Sequence, residues 1–207
     1  MLVGMASPAE PLSRKEQQEQ TRQTLISVAR AVFSQDGYHS ASLDRIAREA
    51  GFSKGAVYSN FDGKAALFLS VMDANLEMAN LENVASFGDS SCPSSTGHDI
   101  AEQEDFPLEA TQGFALATLE FISTAARDKE LAPQLLQRLE EILRRYTTVA
   151  NQARSHEETL PAEEVGKLLA ALDQGLGLIL LAGGAAPNPE IFHAGMQRLL
   201  SPAPPGH

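Results

Sequence analysis

Apolar residues recur along this chain at intervals of three and four and nowhere in strict alternation, so the pattern predicts an all-α protein. A first long helix is expected from about Lys15 to Asp36, with Leu25, Val28, Ala29 and Val32 on its apolar stripe and Gly37 at its end. Two short helices follow, and a fourth opens at Lys64 and runs through Leu67, Phe68, Val71 and Met72 to about Val84. Further helices are predicted from Pro107 to Arg127, from Leu131 through Gln152 with a break near Pro133, from Pro161 to Gly183, and from Pro189 to Leu200. Three of these start at proline, which is tolerated where no helical N–H is needed. Residues 1–12 and 201–207 have no period and read as disordered tails, and the Ser-, Gly- and Asp-rich stretch 86–106 reads as a mobile linker.

The two short helices carry the clearest chemistry. In Ser42–Lys64, SLDRIAREAGFSKGAVYSNFDGK, Ser42 stands where an N-cap belongs, and Leu43, Ile46, Ala47 and Ala50 give one apolar face. Gly51 then supplies a left-handed exit and Ser53 a second N-cap, which fixes a short turn. In the helix that follows, Val57 and Phe61 face inward, leaving Lys54, Gly55, Tyr58 and Ser59 on or near the other face. Small and hydrogen-bonding outward groups suit a helix that enters the major groove, so the segment reads as a helix-turn-helix. The pattern alone is shared by any capped helix pair joined at a glycine, and Tyr58 alone could be a half-buried packing residue with a wet hydroxyl.

Charge sharpens this reading once it is divided. The net charge of −11 looks wrong for a duplex-binding protein, whose affinity comes largely from cations displacing counterions at phosphates. Residues 1–80, however, hold eight Lys or Arg against nine Asp or Glu, while residues 81–207 hold eight against eighteen. The acidity lies in the second part, and Arg14, Lys15, Arg22, Arg45, Arg48, Lys54 and Lys64 can gather on one surface of the first. The length of 207 residues allows one large or two small domains, and one cysteine excludes an internal disulfide framework. The longest apolar run, Leu176 to Ala186, is too short for a membrane span, and the N-terminus lacks the pattern of a signal peptide, so a cytoplasmic location is expected.

From Thr21 to Leu67 the chain resembles the N-terminal domain of the TetR family of bacterial transcriptional regulators. Arg22, Leu25, Ala29, Phe33, Gly37, Ser42, Ile46, Ala47, Ala50, Gly51, Ser53, Gly55, Tyr58, Phe61, Lys64 and Leu67 stand where that family's pattern wants them. Phe52 departs from the usual Val, and Ser59-Asn60 from a site that often ends in His, which leaves the sequence of the DNA site open. The resemblance implies a helix-turn-helix DNA-binding domain over 13–62 and a helical ligand-binding and dimerisation domain over 63–200. It implies phosphate contacts by Ser42, Ser53, Tyr58 and Lys64. Lys54 and Ser59 are the candidates for base edges, and Gly55 would let the helix approach closely. Arg45 either contacts phosphate or pairs with Asp44 or Glu49.

In the second part, Val165, Leu168, Leu169, Leu172, Leu176, Ile179 and Leu180 form a stripe that Ile191, Phe192, Met196, Leu199 and Leu200 repeat on the last helix. Either stripe could face the protein's own core. The resemblance implies instead a homodimer built from the last two helices, with Leu168, Leu172, Leu176, Ile179, Phe192 and Met196 at the interface. It also implies a pocket for a small-molecule effector. Phe87, Phe106, Phe114, Phe121 and Tyr146 could line it or be plain core, and Glu120 could select a cationic ligand or lie on a wet strip with Glu109.

Enzymatic motifs are missing from the sequence: it has no phosphate-binding glycine loop, no nucleophile elbow and no metal-spaced Cys or His pair, so no catalytic residue, cofactor or metal is expected. Cys92 near His98 is a weak candidate for redox sensing. The expected function is a homodimeric, ligand-responsive repressor of double-stranded operator DNA. An activator, or a helical small-molecule-binding dimer without a DNA role, are the other readings.

Overall fold

The structure, a computed structural model, describes residues 13–78, 108–155, 159–185 and 187–201. The expected tail 1–12, the linker 86–106 with Phe87, Cys92, His98 and Phe106, the fourth helix beyond residue 78 and residues 202–207 lie outside the described residues. Within them the fold is all-helical: α1 Arg14–Ser40, α2 Leu43–Glu49, α3 Lys54–Asn60, α4 Lys64–Met78, α5 Leu108–Ala125, α6 Leu131–Ala153, α7 Ala162–Leu181 and α8 Pro189–Leu200.

Helix α1 begins at a reciprocal cap. Ser13 Oγ accepts from Glu16 N at 3.3 Å, and Glu16 Oε2 accepts from Ser13 N at 2.7 Å, which holds the Glu16 carboxyl below its ordinary pKa. Near its other end Gly37 leaves helical geometry with φ 76°, a conformation that costs any residue with a Cβ, and Tyr38 to Ser40 form one more turn. Gly37 thus ends the regular part of the helix, as expected, and the short turn follows it.

Helix α1 packs along α5, where Gly113 allows the closest approach: a Cβ there would lie 2.1 Å from the Ser34 carbonyl oxygen. A hydrophobic cluster built on Leu25, Phe33, Ile46, Val57 and Phe68 continues without interruption into Ala117 and Phe121 of α5. Phe68 sits at its centre, edge-on to Phe33 at 4.8 Å, tilted on Phe121 at 4.7 Å and stacked on Phe114 at 5.4 Å. The first four helices and the body are therefore packed through one shared core.

A second cluster joins α6, α7 and α8 through Tyr146, Ala150, Val165, Leu169, Met196 and Leu200. Helix α6 is unbroken at Pro133, which stands in its first turn, where a missing N–H deprives no carbonyl. Pro161 precedes α7 as its N-cap, and Gly183, with φ 78°, follows its end. Two arginines of α6 reach α4: Arg138 Nη2 meets Asp73 Oδ2 at 2.6 Å, and Arg145 Nη1 donates to Leu76 O at 2.5 Å.

Candidate nucleic-acid interface

Helices α2 and α3 are each only seven residues long, so their ends must be satisfied locally. Ser42 Oγ accepts from Arg45 N and Ser53 Oγ from Ala56 N, both at 3.2 Å. Between the helices Gly51 adopts φ 74°, and Phe52 N donates back to Ala47 O at 2.9 Å. These bonds close the turn and aim α3.

The buried side of α3 is Val57, with Phe61 beyond its end, both in the first cluster. Arg22 of α1 fixes the same end: its Nη1 donates to Asn60 O at 2.9 Å, its Nη2 to Ser70 Oγ at 3.0 Å, and its guanidinium lies 4.4 Å from the Phe61 ring centre. Lys54, Gly55, Tyr58 and Ser59 are exposed, and at 53% exposure Tyr58 is an outward residue rather than a packed one. Ser59 Oγ donates to Ala56 O at 2.9 Å. A Cβ on Gly55 would meet only Ser53 Oγ, at 3.6 Å, so no packing within the chain demands a glycine there.

Three of the cations expected to gather on this surface are turned to internal use. Arg22 clamps α3 as described. Arg45 pairs with Glu49 at 2.6 Å and with Asp36, and donates to Gln35 Oε1 at 2.6 Å. Of the partners expected for it, Glu49 is taken, while Asp44 pairs with Lys54 at 2.9 Å. Lys64 Nζ donates to His39 O at 2.8 Å and Ala41 O at 3.1 Å and lies 4.9 Å from the Tyr38 ring centre. Burial lowers its pKa, and the Glu120 carboxylate opposes that shift. Ser42, Ser53, Lys54, Arg48, Arg14 and Lys15 are exposed.

The geometry agrees with what the chain is similar to. Residues 25–71 match the family model of bacterial regulatory proteins, tetR family. The HTH-type transcriptional regulator AcrR of Shigella flexneri is 40% identical over 81 residues, covering 37% of this chain and 38% of that protein. SrpR of Pseudomonas putida, also an HTH-type transcriptional regulator, is 39% identical over 70 residues, covering 34% of this chain and 33% of its own length. Residues 25–71 are a TetR-family N-terminal domain. The matched stretch spans only about a third of these curated relatives' length, and the rest rests on fold. A TetR-family regulator from Cytophaga hutchinsonii superposes with TM-score 0.63 at 18% identity, covering 92% of this chain and 96% of that one. NalD, the secondary repressor of the MexAB-OprM multidrug efflux pump in Pseudomonas aeruginosa, does so with TM-score 0.58 at 22% identity, covering 88% and 97%.

In the body, the four described residues among the six expected around a ligand do not converge. Phe121 is fully buried and Phe114 packs beside it in the first cluster, whereas Tyr146 belongs to the second. Tyr146 Oη donates to Asp173 Oδ2 at 2.6 Å, and burial together with that carboxylate drives the phenol pKa well up. Glu120 is partly buried, and its Oε2 accepts from His39 N at 2.9 Å.

The stripe expected at a dimer interface divides in two. Leu168, Leu172 and Ile179 are exposed at 43%, 44% and 50%, and Leu178, Leu180 and Ile191 are exposed as well. Leu176 and Met196 instead point into their own protomer, and Met196 is fully buried against α7. They are corrected to core positions, because Leu176 follows Leu169 by seven residues and so shares the buried face of α7, and Met196 lies in the second cluster. Phe192 is partly buried against the same cluster. Among the described residues no group of His, Cys, Asp and Glu is placed to hold a metal, and no helix is long and apolar enough to cross a membrane.

Proposed function

We propose that this chain is a homodimeric transcription regulator that binds a palindromic operator in double-stranded DNA through α3 and is released by a small-molecule effector, acting as a repressor. The observation that carries the reading is the division of α3. One side is locked by Val57, Phe61 and Arg22, and the other offers Lys54, Gly55, Tyr58 and Ser59 to solvent, within the segment that matches the family model. Fixed backing and a small, hydrogen-bonding outward face are what groove entry requires. Ser42, Ser53 and Tyr58 are assigned to phosphates, Lys54 and Ser59 to base edges, and Gly55 to close approach. Arg45 and Lys64 support the reading head through their internal partners and would have to exchange them to reach phosphate.

Two heads are needed because a single short recognition helix makes few contacts. Half-sites roughly 34 Å apart, or a multiple of that distance, require a two-fold dimer. The exposed leucines and isoleucines of α7 and α8 are the surface assigned to it. Release by an effector is supported by the shared core: α5 cannot shift without moving Phe68 and Tyr38 beneath the head. The reading places the protein in the cytoplasm and gives it no catalysis and no cofactor.

Fluorescence anisotropy of the full chain with duplex from its own upstream region, beside a scrambled duplex, tests the proposal. Tight, sequence-dependent binding that a Lys54→Ala/Tyr58→Ala variant loses supports it. Equal binding of wild type and variant to both duplexes, followed by a genome-wide selection that recovers no site, overturns it. Reporter output with and without the protein separates repressor from activator.

A further inference from the structure

Asp44 is the second residue of α2 and Lys54 the first of α3, and the turn between them brings opposite charges together. Lys54 Nζ lies 2.9 Å from Asp44 Oδ1 and 3.2 Å from Oδ2. The pair does little for folding: its side chains are 58% and 62% exposed, where an ion pair contributes little. Lys54 also stands at a helix N-terminus, the end that disfavours a cation. A carboxylate here further opposes any approaching duplex, because it cancels a cation that would otherwise displace a counterion at phosphate.

What the pair does offer is an acceptor and a donor held side by side at the edge of the outward face of α3. Asp44, Lys54 and Tyr58 are all exposed, and Tyr58 acts electrostatically on the same ammonium. In the major groove a G·C pair presents the cytosine N4 amino donor next to guanine O6 and N7, the preferred partners of a carboxylate and of a lysine. An A·T pair instead sets its one amino donor, adenine N6, between two separated acceptors, N7 and thymine O4, with the thymine methyl at one edge, so no adjacent pair of acceptors meets the ammonium.

We infer that Asp44 is a specificity-determining residue which, together with Lys54, reads one G·C pair of fixed orientation in each half-site; the inference rests on the DNA-binding reading above. Asp44 lowers affinity for all duplexes and returns discrimination at one position. It keeps Lys54 from serving as an unselective phosphate contact and aims the ammonium at guanine.

The test is selection from a randomised duplex library with full-length wild type, Asp44→Asn and Lys54→Gln, together with salt titrations of each on one scrambled duplex. Wild type is expected to enrich a motif with an invariant G·C pair in each half-site. Asp44→Asn should relax that position about tenfold, as expected for loss of one good base contact. It should also bind the scrambled duplex more tightly, with a salt slope steeper by about one per protomer. Lys54→Gln should relax the same position with a shallower slope, which gives an independent readout should the first variant fold poorly. The inference alone is overturned if Asp44→Asn enriches the wild-type motif with an unchanged slope. A wild type that enriches nothing overturns the DNA-binding reading and the inference with it.

Discussion

Glu120 Oε2 accepts a hydrogen bond from the backbone N–H of His39 at 2.9 Å, tying α5 to the last turn of α1 across 81 positions of chain. The contact depends on Gly37. A Cβ at that residue would lie 2.6 Å from Glu120 Oε1, and its φ of 76° disfavours a side chain in any case. Lys64 caps the His39 carbonyl from the other side, so both backbone polar groups of His39 are engaged, one by the body and one by α4.

Gly37→Ala is therefore expected to destabilise the chain by about 2–3 kcal/mol, from left-handed backbone strain together with displacement of the Glu120 carboxylate. In a Glu120→Ala background the same change should cost only the backbone part, about 1–2 kcal/mol. Urea unfolding of the two single variants and the double variant measures the difference. Strict additivity would show that the glycine and the carboxylate act separately.

Arg22→Lys should fail to replace arginine. The guanidinium bridges Asn60 O and Ser70 Oγ while lying over Phe61, and a lysine ammonium has neither the fork nor the flat face. A loss of about 1–3 kcal/mol is expected, concentrated at the end of α3. Hydrogen exchange at the amides of α3 should quicken in Arg22→Lys more than at those of α7. Uniform quickening would place the residue's contribution in global stability instead.

The parts of the fold that were legible in sequence are those decided by neighbours. Ser42, Gly51, Ser53, Val57 and Phe61 act over one to four residues, and the structure puts each where the local pattern did. The long polar side chains were not legible, since a guanidinium or ammonium chooses among carbonyls that only the tertiary fold assembles. Lys64 finds the end of α1, Glu120 finds the same turn, and Arg45 finds Asp36 and Gln35 as well as its helical neighbour Glu49. The apolar stripes were legible as stripes but not by destination, because Leu172 and Leu176 are alike in sequence and only the folded chain exposes one and buries the other. Tyr38, which borders Phe33, Phe68 and Phe121, gave no local sign beyond being an aromatic after Gly37.

Tyr146 gives a pH dependence with a definite sign. Burial and the Asp173 carboxylate raise its pKa in the folded state, whereas an unfolded tyrosine ionises near about 10. Below about pH 10 both states keep the proton and the contribution is whole. Above it the unfolded state sheds its proton first, so stability falls as pH rises, by about 1.4 kcal/mol per unit. Tyr146→Phe removes this dependence and, at neutral pH, costs about 1–3 kcal/mol by leaving Asp173 short of a donor. The stability gap between wild type and Tyr146→Phe should therefore narrow from pH 9 to 11, with lysine titration cancelling in the difference. A constant gap would mean that the phenol is not held protonated.

The split of the α7 and α8 stripe separates assembly from folding. Leu172 is 44% exposed and meets solvent in one protomer, so Leu172→Glu removes little packing within the chain but sets two like charges near a two-fold axis if this face is the interface. Light scattering should then report one chain rather than two, with helicity retained. Met196 is fully buried between α7 and α8, so Met196→Ala opens a cavity and should cost about 2–5 kcal/mol. That variant should still pair at temperatures where it is folded. The opposite result, a Leu172→Glu dimer and a folded Met196→Ala monomer, would move the interface away from the exposed leucines. Because pairing would stabilise each folded chain by mass action, both variants must be compared at one protomer concentration.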